Sequence, residues 1–414
     1  MRPNKWLLVL LAILPIAMQA GDARADFMRD VHDALAIDDP QDRFHLQLSG
    51  LLDAETYFID GHSPGLLFTD DNILFNPRVT IYLDAQIGSR IYLFVQARVD
   101  RGFDPSNNSA EARADEYFLR YSFSKAVNAQ VGQFATVVGN WVARHDSWQN
   151  PFINAPLPYE HLTGVWDSWA PDEPDELLEW AHVGEYDSGN YSDKYLRSPI
   201  IWGPSYTSGI SVFGSLGKFD YAVELKNNTL SSRPEYWSVA DRGFAHPTVS
   251  TRVGLRPNEM WNVGFSASSG AYFLREAAAS LPPGRGLGDY HEHVLAQDIS
   301  FAWHHLQLWA ECYEARFEVP RAGDADTLAY YLEAKYKVTP QLFAALRWNQ
   351  QLFGTIRDED EFAKWGDDVW RVDAALGYRF TNFLQAKLQY SISSQDAAPD
   401  EHEHVLATQL TLKY

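Results

Sequence analysis

The sequence predicts an all-β protein, a transmembrane up-and-down antiparallel β-barrel of about 16 strands with a long third extracellular loop. Three observations predict this fold class. Segments of alternating apolar and polar residues recur along most of the chain, their connections alternate between short turns and longer polar loops, and the chain opens with a segment typical of exported proteins.

The first residues predict export. Arg2 and Lys5 precede an apolar run from Trp6 to Met18, and residues 23–25 have the small-x-small pattern of a cleavage site. The run is shorter than the roughly 20 apolar residues of a membrane-spanning helix, so we expect cleavage rather than an uncleaved anchor, the alternative interpretation. The predicted divisions are a signal peptide at 1–25, a short periplasmic segment at 26–43 and the barrel at 44–414.

The composition excludes several classes of function. A net charge of −21 argues against a nucleic-acid partner, because phosphates would be repelled, and a single cysteine, Cys312, rules out an intramolecular disulfide. Aromatic residues form 14% of the chain although its mean hydropathy is slightly negative, as expected where lipid-facing and water-facing residues alternate. We find no motif for a nucleotide, haem or other cofactor and expect none.

Period-two alternation begins at Phe44, with Leu46 and Leu48 on one face and Gln47 and Ser49 on the other. Every backbone N–H and C=O must be paired within hydrocarbon, so strands this numerous can cross a membrane only as a closed cylinder. The predicted strands are 44–58, 78–87, 90–100, 114–123, 127–134, 207–214, 218–227, 247–256, 260–269, 292–303, 306–317, 327–338, 341–350, 368–380, 383–393 and 403–414.

The connections favour a barrel over a soluble sandwich. Short turns such as Gly88-Ser89 and Thr339-Pro340 alternate strictly with longer loops, a rhythm that a Greek-key sandwich has no reason to keep. An even strand count places both termini on the periplasmic side. The predicted long loops are 61–72, 101–113, 135–206, 228–246, 270–291, 318–326, 351–367 and 394–402.

Several segments resemble the phosphate-selective porin O and P family of bacterial channels. They are Asp115–Tyr121, Gln130–Phe134, Tyr330–Tyr336 and Leu376–Phe380. The last strand, ending in Tyr414, is similar to the closing strand of outer-membrane barrels, which implies recognition by the barrel-assembly machinery in a Gram-negative outer membrane. The resemblance also implies that the third loop folds into the lumen. The family's lysine-rich constriction loop is not matched, since loop 135–206 is acidic, so phosphate selectivity does not carry over.

Loop 135–206 is the expected constriction, although a lid over the mouth is the alternative. A structureless loop of this length would be unusual, and several tryptophans lie in it. Arg144 and His145 either face acidic groups across the pore or pair with a carboxylate of the loop. The candidate constriction residues are Trp141, Arg144, His145 and Trp148.

Inward strand faces carry both signs of charge in nearly equal numbers. Opposed clusters would create a transverse field across the pore, whereas mutual ion pairs would only keep the wall solvated. The candidate pore-lining residues are Arg78, Arg98, Arg120, Arg252, Arg347, Arg371, Arg379, Asp53, Asp84, Glu116 and Asp373.

These features predict an outer-membrane porin that admits small polar solutes or ions and is not an enzyme. The alternatives are a barrel scaffold or adhesin for a partner protein, and a phospholipase-type enzyme, for which the outward registers show no clear histidine. We expect contact with outer-membrane lipid and lipopolysaccharide, and a homotrimer is one possible assembly. Residues 291–293 and 402–404 each hold two histidines, but without a third ligand we predict no metal site.

Overall fold

A computed structural model of the chain describes residues 21–41, 43–60, 72–101, 110–182, 197–358, 361–396 and 402–414. Sixteen antiparallel strands form the barrel. They are β1 Phe44–Asp60, β2 Ile73–Ile87, β3 Ile91–Asp100, β4 Glu111–Ser122, β5 Asn128–Gln133, β6 Ser208–Leu216, β7 Phe219–Lys226, β8 Thr248–Leu255, β9 Trp261–Ala271, β10 His291–Trp303, β11 Leu306–Val319, β12 Gly323–Lys337, β13 Leu342–Phe353, β14 Val369–Arg379, β15 Leu384–Gln395 and β16 Glu403–Lys413.

The sheet closes on itself. Each strand pairs with the next along the chain, and β16 pairs with β1 through partners such as Gln409 and Glu55. The barrel strands therefore have no open edge, as a membrane crossing requires. The predicted all-β, sixteen-stranded, antiparallel barrel is confirmed.

Alternation separates the two faces of every strand. In β1, Asp53, Glu55 and Tyr57 point inward and are buried, whereas Leu52 and Ala54 point outward and are exposed. Because side chains on a strand alternate sides, the apolar set faces outward and the polar set faces the lumen.

Three predicted loops are shorter or more regular than expected. The predicted loop 318–326 is wrong, because β11 continues to Val319 and β12 begins at Gly323. At this end of the barrel the outward face is polar, with Arg316 paired to Asp326, and the inward face is apolar. The exposed charges make the sequence here as polar as that of a loop. Strand β4 starts at Glu111, within predicted loop 101–113, and a hairpin of Thr355–Asp358 with Glu361–Lys364 lies in predicted loop 351–367.

The segment before the barrel is ordered. Helix α1, Gly21–Ala34, leads to a short strand, Ala36–Asp38, which pairs with the start of β1. Most of the predicted signal peptide, residues 1–20, lies outside the described residues. In the part of the chain that the structure describes, no helix is long and apolar enough to span a membrane.

The remaining helices lie in the long loops. They are α2 Pro174–His182, α3 Val239–Arg242 and the 3₁₀ turns Val142–Arg144, Leu157–Tyr159, Pro234–Tyr236, Arg275–Ala279 and Leu287–Asp289.

Candidate constriction inside the barrel

The third long loop, residues 134–207 and hereafter L3, begins within the barrel wall. Strand β5 ends at Gln133, and β6 begins opposite it at Ser208. The ammonium group of Lys226, inward-facing on β7, donates to the Phe134 carbonyl at 2.5 Å and to the Thr207 carbonyl at 3.0 Å. One buried side chain therefore ties both ends of L3 together at the wall.

From the wall, L3 crosses the lumen toward β11 and β12. The backbone N–H groups of Asn140 and Trp141 donate to Glu311 at 2.7 and 2.6 Å, and Arg144 donates to Glu333 at 2.5 Å. Gly139 adopts φ +80°, and a side chain there would collide with the Tyr313 hydroxyl. The glycine thus permits the close approach that brings these donors to the wall.

The tip of L3 reaches the end of the barrel that carries the short turns. Arg379, the last residue of β14, donates to the Trp148 carbonyl at 3.3 Å, and Lys387 donates to the carbonyls of Asn150 and Phe152, both at 2.9 Å. L3 therefore extends through most of the barrel's height rather than forming a ring at one level.

The returning part of L3 binds two arginines of the wall. Arg347, 0% exposed, donates to Asp373 at 2.8 Å and to the Asn154 side chain at 2.6 Å. Arg371 is hydrogen-bonded to Glu160 and, at 2.6 Å, to the Ala155 carbonyl. We call the inward faces of β11–β15 that bind L3 in this way the anchored side.

Toward the long-loop end, L3 packs into an apolar cluster with the wall. Leu177 and Trp180 of α2 lie in one cluster with Phe317, Phe353 and Trp365. The acidic residues of α2 include Asp175 and Glu179, which are exposed. Part of the predicted acidity of L3 is therefore solvated charge on the outer face of a packed plug.

The opposite wall, formed by the inward faces of β2–β4, is covered less completely, and we call it the open side. The side chains of Arg78 and Arg98 each keep 20% exposure there, with carboxylate partners on the wall itself: Asp53 and Glu55 for Arg78, and Asp115 for Arg98. These partly exposed polar groups of the open side are therefore the described part of the lumen wall that L3 covers least.

His145 belongs to L3, is partly exposed and lies within electrostatic range of Arg78 and Arg98 of the open side. Its Nδ1 lies 2.6 Å from the Val142 carbonyl and its Nε2 lies 2.6 Å from the Tyr206 hydroxyl, an arrangement that suits a neutral ring. Burial lowers the pKa of His145; Arg98 and Arg78 lower it further, while Asp146 opposes them. The two arginines of the open side are thus near the neutral imidazole of His145 and the carboxylate of Asp146.

Two further side chains of L3 have shifted pKa values. Burial lowers the pKa of His161 to about 4, with nearby Arg371 adding to the effect. Burial raises the pKa of Asp167 to about 6, although Arg233, which donates to it at 2.8 Å, lowers it. Both groups belong to packed L3 segments, so their charge states are coupled to L3 packing.

The predicted pore-lining residues divide into two groups. All lie on inward faces, but Asp53, Arg347, Arg371 and Asp373 are buried beneath L3, so expecting them to line open water is wrong. The other members of the set keep partial exposure: Arg78, Arg98, Arg120, Arg252, Arg379, Asp84 and Glu116. The physical reason is L3, which occupies the space in front of the buried group.

The predicted constriction residues are all in the lumen, but their partners differ from expectation. Trp141 and Arg144 are buried, and Arg144 pairs with Glu333 of the wall rather than with a carboxylate of L3. Trp148 packs under the guanidinium of Arg379. Lys226 was missed, although its position two residues after inward-facing Glu224 could have identified it.

The histidine pairs face outward. His291 and His293 on β10 each lie 3.5 Å from Glu318, so the expectation that outward registers lack histidine is wrong. Within the described residues, no group of three His, Cys, Asp or Glu side chains is arranged to hold a metal ion.

Comparisons by sequence find nothing similar, since no family model and no curated protein matches the chain. Comparison of structures gives clear neighbours at low identity. An anion-selective porin from Comamonas acidovorans is 9% identical at TM-score 0.56, over 90% of this chain and 100% of that one.

Two other neighbours have the same architecture. The outer membrane channel DcaP of Acinetobacter baumannii is 10% identical at TM-score 0.54, over 91% of this chain and 99% of that one. The trimer form of OmpT, an outer membrane protein of Vibrio cholerae, is 10% identical at TM-score 0.54, over 90% of this chain and 100% of that one. At these identities the likeness shows the fold, which is that of bacterial outer-membrane porins.

Proposed function

We propose that this chain is an outer-membrane porin, a channel through which small polar solutes or ions diffuse. One observation carries the proposal: a closed barrel with an apolar outer face keeps polar side chains on its inner face, and Arg78 and Arg98 on the open side remain partly exposed opposite L3. Polar groups along the inner wall of a barrel can be hydrated, and a hydrated lumen admits polar solutes. The proposed role is transport, without catalysis.

The proposal includes the location and partners of the chain. An outward apolar belt of exposed side chains, among them Leu346, Leu376 and Leu410, suits contact with lipid. We propose residence in a Gram-negative outer membrane, with lipopolysaccharide above this belt, insertion by the barrel-assembly machinery after signal-peptide cleavage, and assembly as homotrimers. Membership of the phosphate-selective porin O and P family stays a prediction.

Planar-bilayer conductance of the purified protein tests the channel. We expect discrete open steps, and severalfold larger steps when the L3 tip, residues 145–153, is replaced by a short Gly-Ser linker, because the tip narrows the passage. Deleting residues 283–286, an exposed turn outside the lumen, is the matched control and leaves the steps unchanged. A tight seal under all salt, voltage and pH conditions would contradict the proposal.

One arrangement favours a second candidate function, a lipid hydrolase on the outer surface. Ser269 is paired in register with His293, whose Nε2 lies 3.5 Å from Glu318. The backbone of Ser269 is paired on both sides by β8 and β10, so it offers no free donors for an oxyanion. The channel is therefore preferred; phospholipid hydrolysis that disappears in S269A would reverse that preference.

A further inference from the structure

One arginine of the inner wall differs from Arg78 and Arg98 in having no carboxylate partner. Arg120, inward-facing on β4, is partly exposed, and it forms no ion pair within the described residues. Its guanidinium donates to the Gln130 side-chain oxygen from Nε at 3.2 Å and from Nη2 at 2.9 Å. The remaining nitrogen, Nη1, has no hydrogen bond in the described part of the chain, so a group that commonly binds carboxylates keeps free donors in the lumen.

Three aromatic rings surround the Arg120 guanidinium. The ring centroids of Tyr92, Phe118 and Phe213 lie 5.4, 5.1 and 5.1 Å from its central carbon. An aromatic face attracts a cation but carries no net charge to neutralise it. The rings therefore fix the position of the guanidinium and leave its charge available to a solute.

A carboxylate lies at the hydroxyl end of Tyr92. The Tyr92 hydroxyl donates to Asp84 of β2, which is partly exposed and has no cationic partner among the residues that the structure describes. Charges of opposite sign on the neighbouring wall pair directly, as Arg98 does with Asp115 at 2.9 Å. Asp84 and Arg120 instead remain separate, so one anionic and one cationic group stand unpaired on the same part of the wall.

Aromatic residues adjoin these two charges. The ring planes of Tyr82 and Tyr92 are inclined by 24° and 16° to that of Phe94, with centroids 6.1 and 6.4 Å from its centroid. All three residues are inward-facing and partly exposed. Aromatic rings pack favourably against another ring in offset or edge-to-face arrangements. This part of the wall therefore suits a solute that carries a planar apolar group.

L3 does not occupy these charges. Asp84 and Arg120 have no hydrogen bond to L3 in the described ranges, whereas Glu116, further along β4, accepts the backbone N–H of Ala135 in L3 at 3.2 Å. Arg120 lies two residues before the end of β4 at Ser122, close to the short-turn end of the barrel. The two unpaired charges thus lie beyond the contacts of L3 and stay accessible from that end.

We propose that this part of the wall binds an α-amino acid with an aromatic side chain, a solute that carries both charges and a planar ring. Its carboxylate pairs with Arg120, its ammonium group pairs with Asp84, and its ring packs against Phe94 and the neighbouring tyrosines. This inference rests on the channel proposed above, since it names the class of solute that the channel admits. We call the five residues the zwitterion site: Tyr82, Asp84, Tyr92, Phe94 and Arg120.

Titration calorimetry of the wild-type protein in detergent tests the zwitterion site without any substitution. We expect phenylalanine to bind about tenfold more tightly than phenylpropionate, which lacks the ammonium group, or phenethylamine, which lacks the carboxylate, because a hydrogen bond to a charged group contributes about this factor. Alanine, which lacks the ring, should also bind more weakly. Equal affinity for phenylalanine and phenylpropionate, or no binding of phenylalanine, would overturn the proposal.

Substitutions assign each charge to its partner. D84N should lower the affinity for phenylalanine to that for phenylpropionate without weakening phenylpropionate binding, and R120M should lower it to that for phenethylamine. R316M, which removes a charge from the outer face, is the matched control and keeps the wild-type affinity. Unchanged phenylalanine affinity in D84N and R120M would contradict the assignment.

Planar-bilayer conductance of the same samples separates this inference from the channel on which it rests. Open steps in a wild type that does not bind phenylalanine would overturn the zwitterion site alone. Phenylalanine binding without open steps in any sample, the wild type included, would overturn only the channel.

Discussion

The anchored side and the open side of the lumen carry the same kinds of side chain and differ in where the partners lie. On the anchored side, Arg347 and Arg371 bind L3 as well as Asp373, and they are 0% and 2% exposed. On the open side, Arg78 and Arg98 pair with carboxylates of the wall and keep part of their surface free. A charged side chain on the inner face is therefore exposed to the lumen only where L3 does not bind it.

The largest expected effect comes from the anchored side, through R347M. Arg347 also stacks on Phe152, 4.3 Å from its ring centroid, so it joins the L3 tip to the wall. Its removal leaves buried Asp373 and Asn154 with fewer partners, which typically costs about 3 to 5 kcal/mol. We expect L3 to become sensitive to added protease in the folded barrel.

The matched control is R316M. Arg316 also forms an arginine–carboxylate pair, with Asp326, but its side chain is 48% exposed on the outer face. Such a pair contributes less than about 1 kcal/mol. Equal protease resistance of L3 in R347M and R316M would mean that the anchored side does not hold L3.

The second prediction is that acid weakens the anchored side through His161. Its pKa is about 4 in the folded protein, against about 6.5 for a free histidine. The folded state thus favours the neutral ring, so its contribution to stability is complete above pH of about 6.5 and is lost as the pH falls toward 4, about 3 kcal/mol in all. We expect the thermal midpoint of the wild type to fall more, or to rise less, between pH 7 and pH 4.5 than that of a variant without this histidine.

H161Q isolates this contribution. The raised pKa values of Glu160 and Asp167 act in the opposite direction, because folding favours their protonated forms, so only the difference between variant and wild type assigns the effect. H161Q should lose part of the acid sensitivity, and H305Q, at an exposed turn, should not. The same pH response in all three proteins would refute the assignment.

Local pattern was enough to predict the barrel but not the contents of its lumen. Alternation gave each strand and its inward face because side-chain direction depends only on position along the strand. The prediction failed at 318–326. Arg316 and Asp324 point outward there, beyond the apolar belt, and their charges make the segment as polar as a loop. There the inward face had become apolar, which is visible in Phe317 and Val319 once the register is continued.

The path of L3 could not be predicted from the same information. Contacts such as Arg144 with Glu333 join residues that are 189 positions apart, and nothing in either segment specifies the other. The buried and the partly exposed arginines therefore stand in the same alternating sequence pattern, and only contacts with distant residues distinguish them.

The third prediction concerns the point where L3 leaves the wall. K226M removes the charged donor that both Phe134 and Thr207 share, and each hydrogen bond to a charged group contributes about 1.5 to 3 kcal/mol. We expect noisier conductance, since both ends of L3 lose a common anchor while its contacts with the anchored side remain. K125M, at an exposed turn, is the control, and equal noise in both variants would contradict the prediction.

The smallest expected effect belongs to the open side, through R98Q. A unit charge about 8 Å from a passing ion in an aqueous passage contributes about 0.5 kcal/mol, or about a twofold change in permeability ratio. Asp115 keeps Arg113 as a partner at 2.8 Å, so the wall should remain folded while the passage loses one positive charge. Reversal potentials in a salt gradient should therefore shift toward cations in R98Q and stay unchanged in R316Q. If R347M altered selectivity and R98Q did not, the open side would not be the conducting path, and the division of the lumen into two sides would have to be reversed.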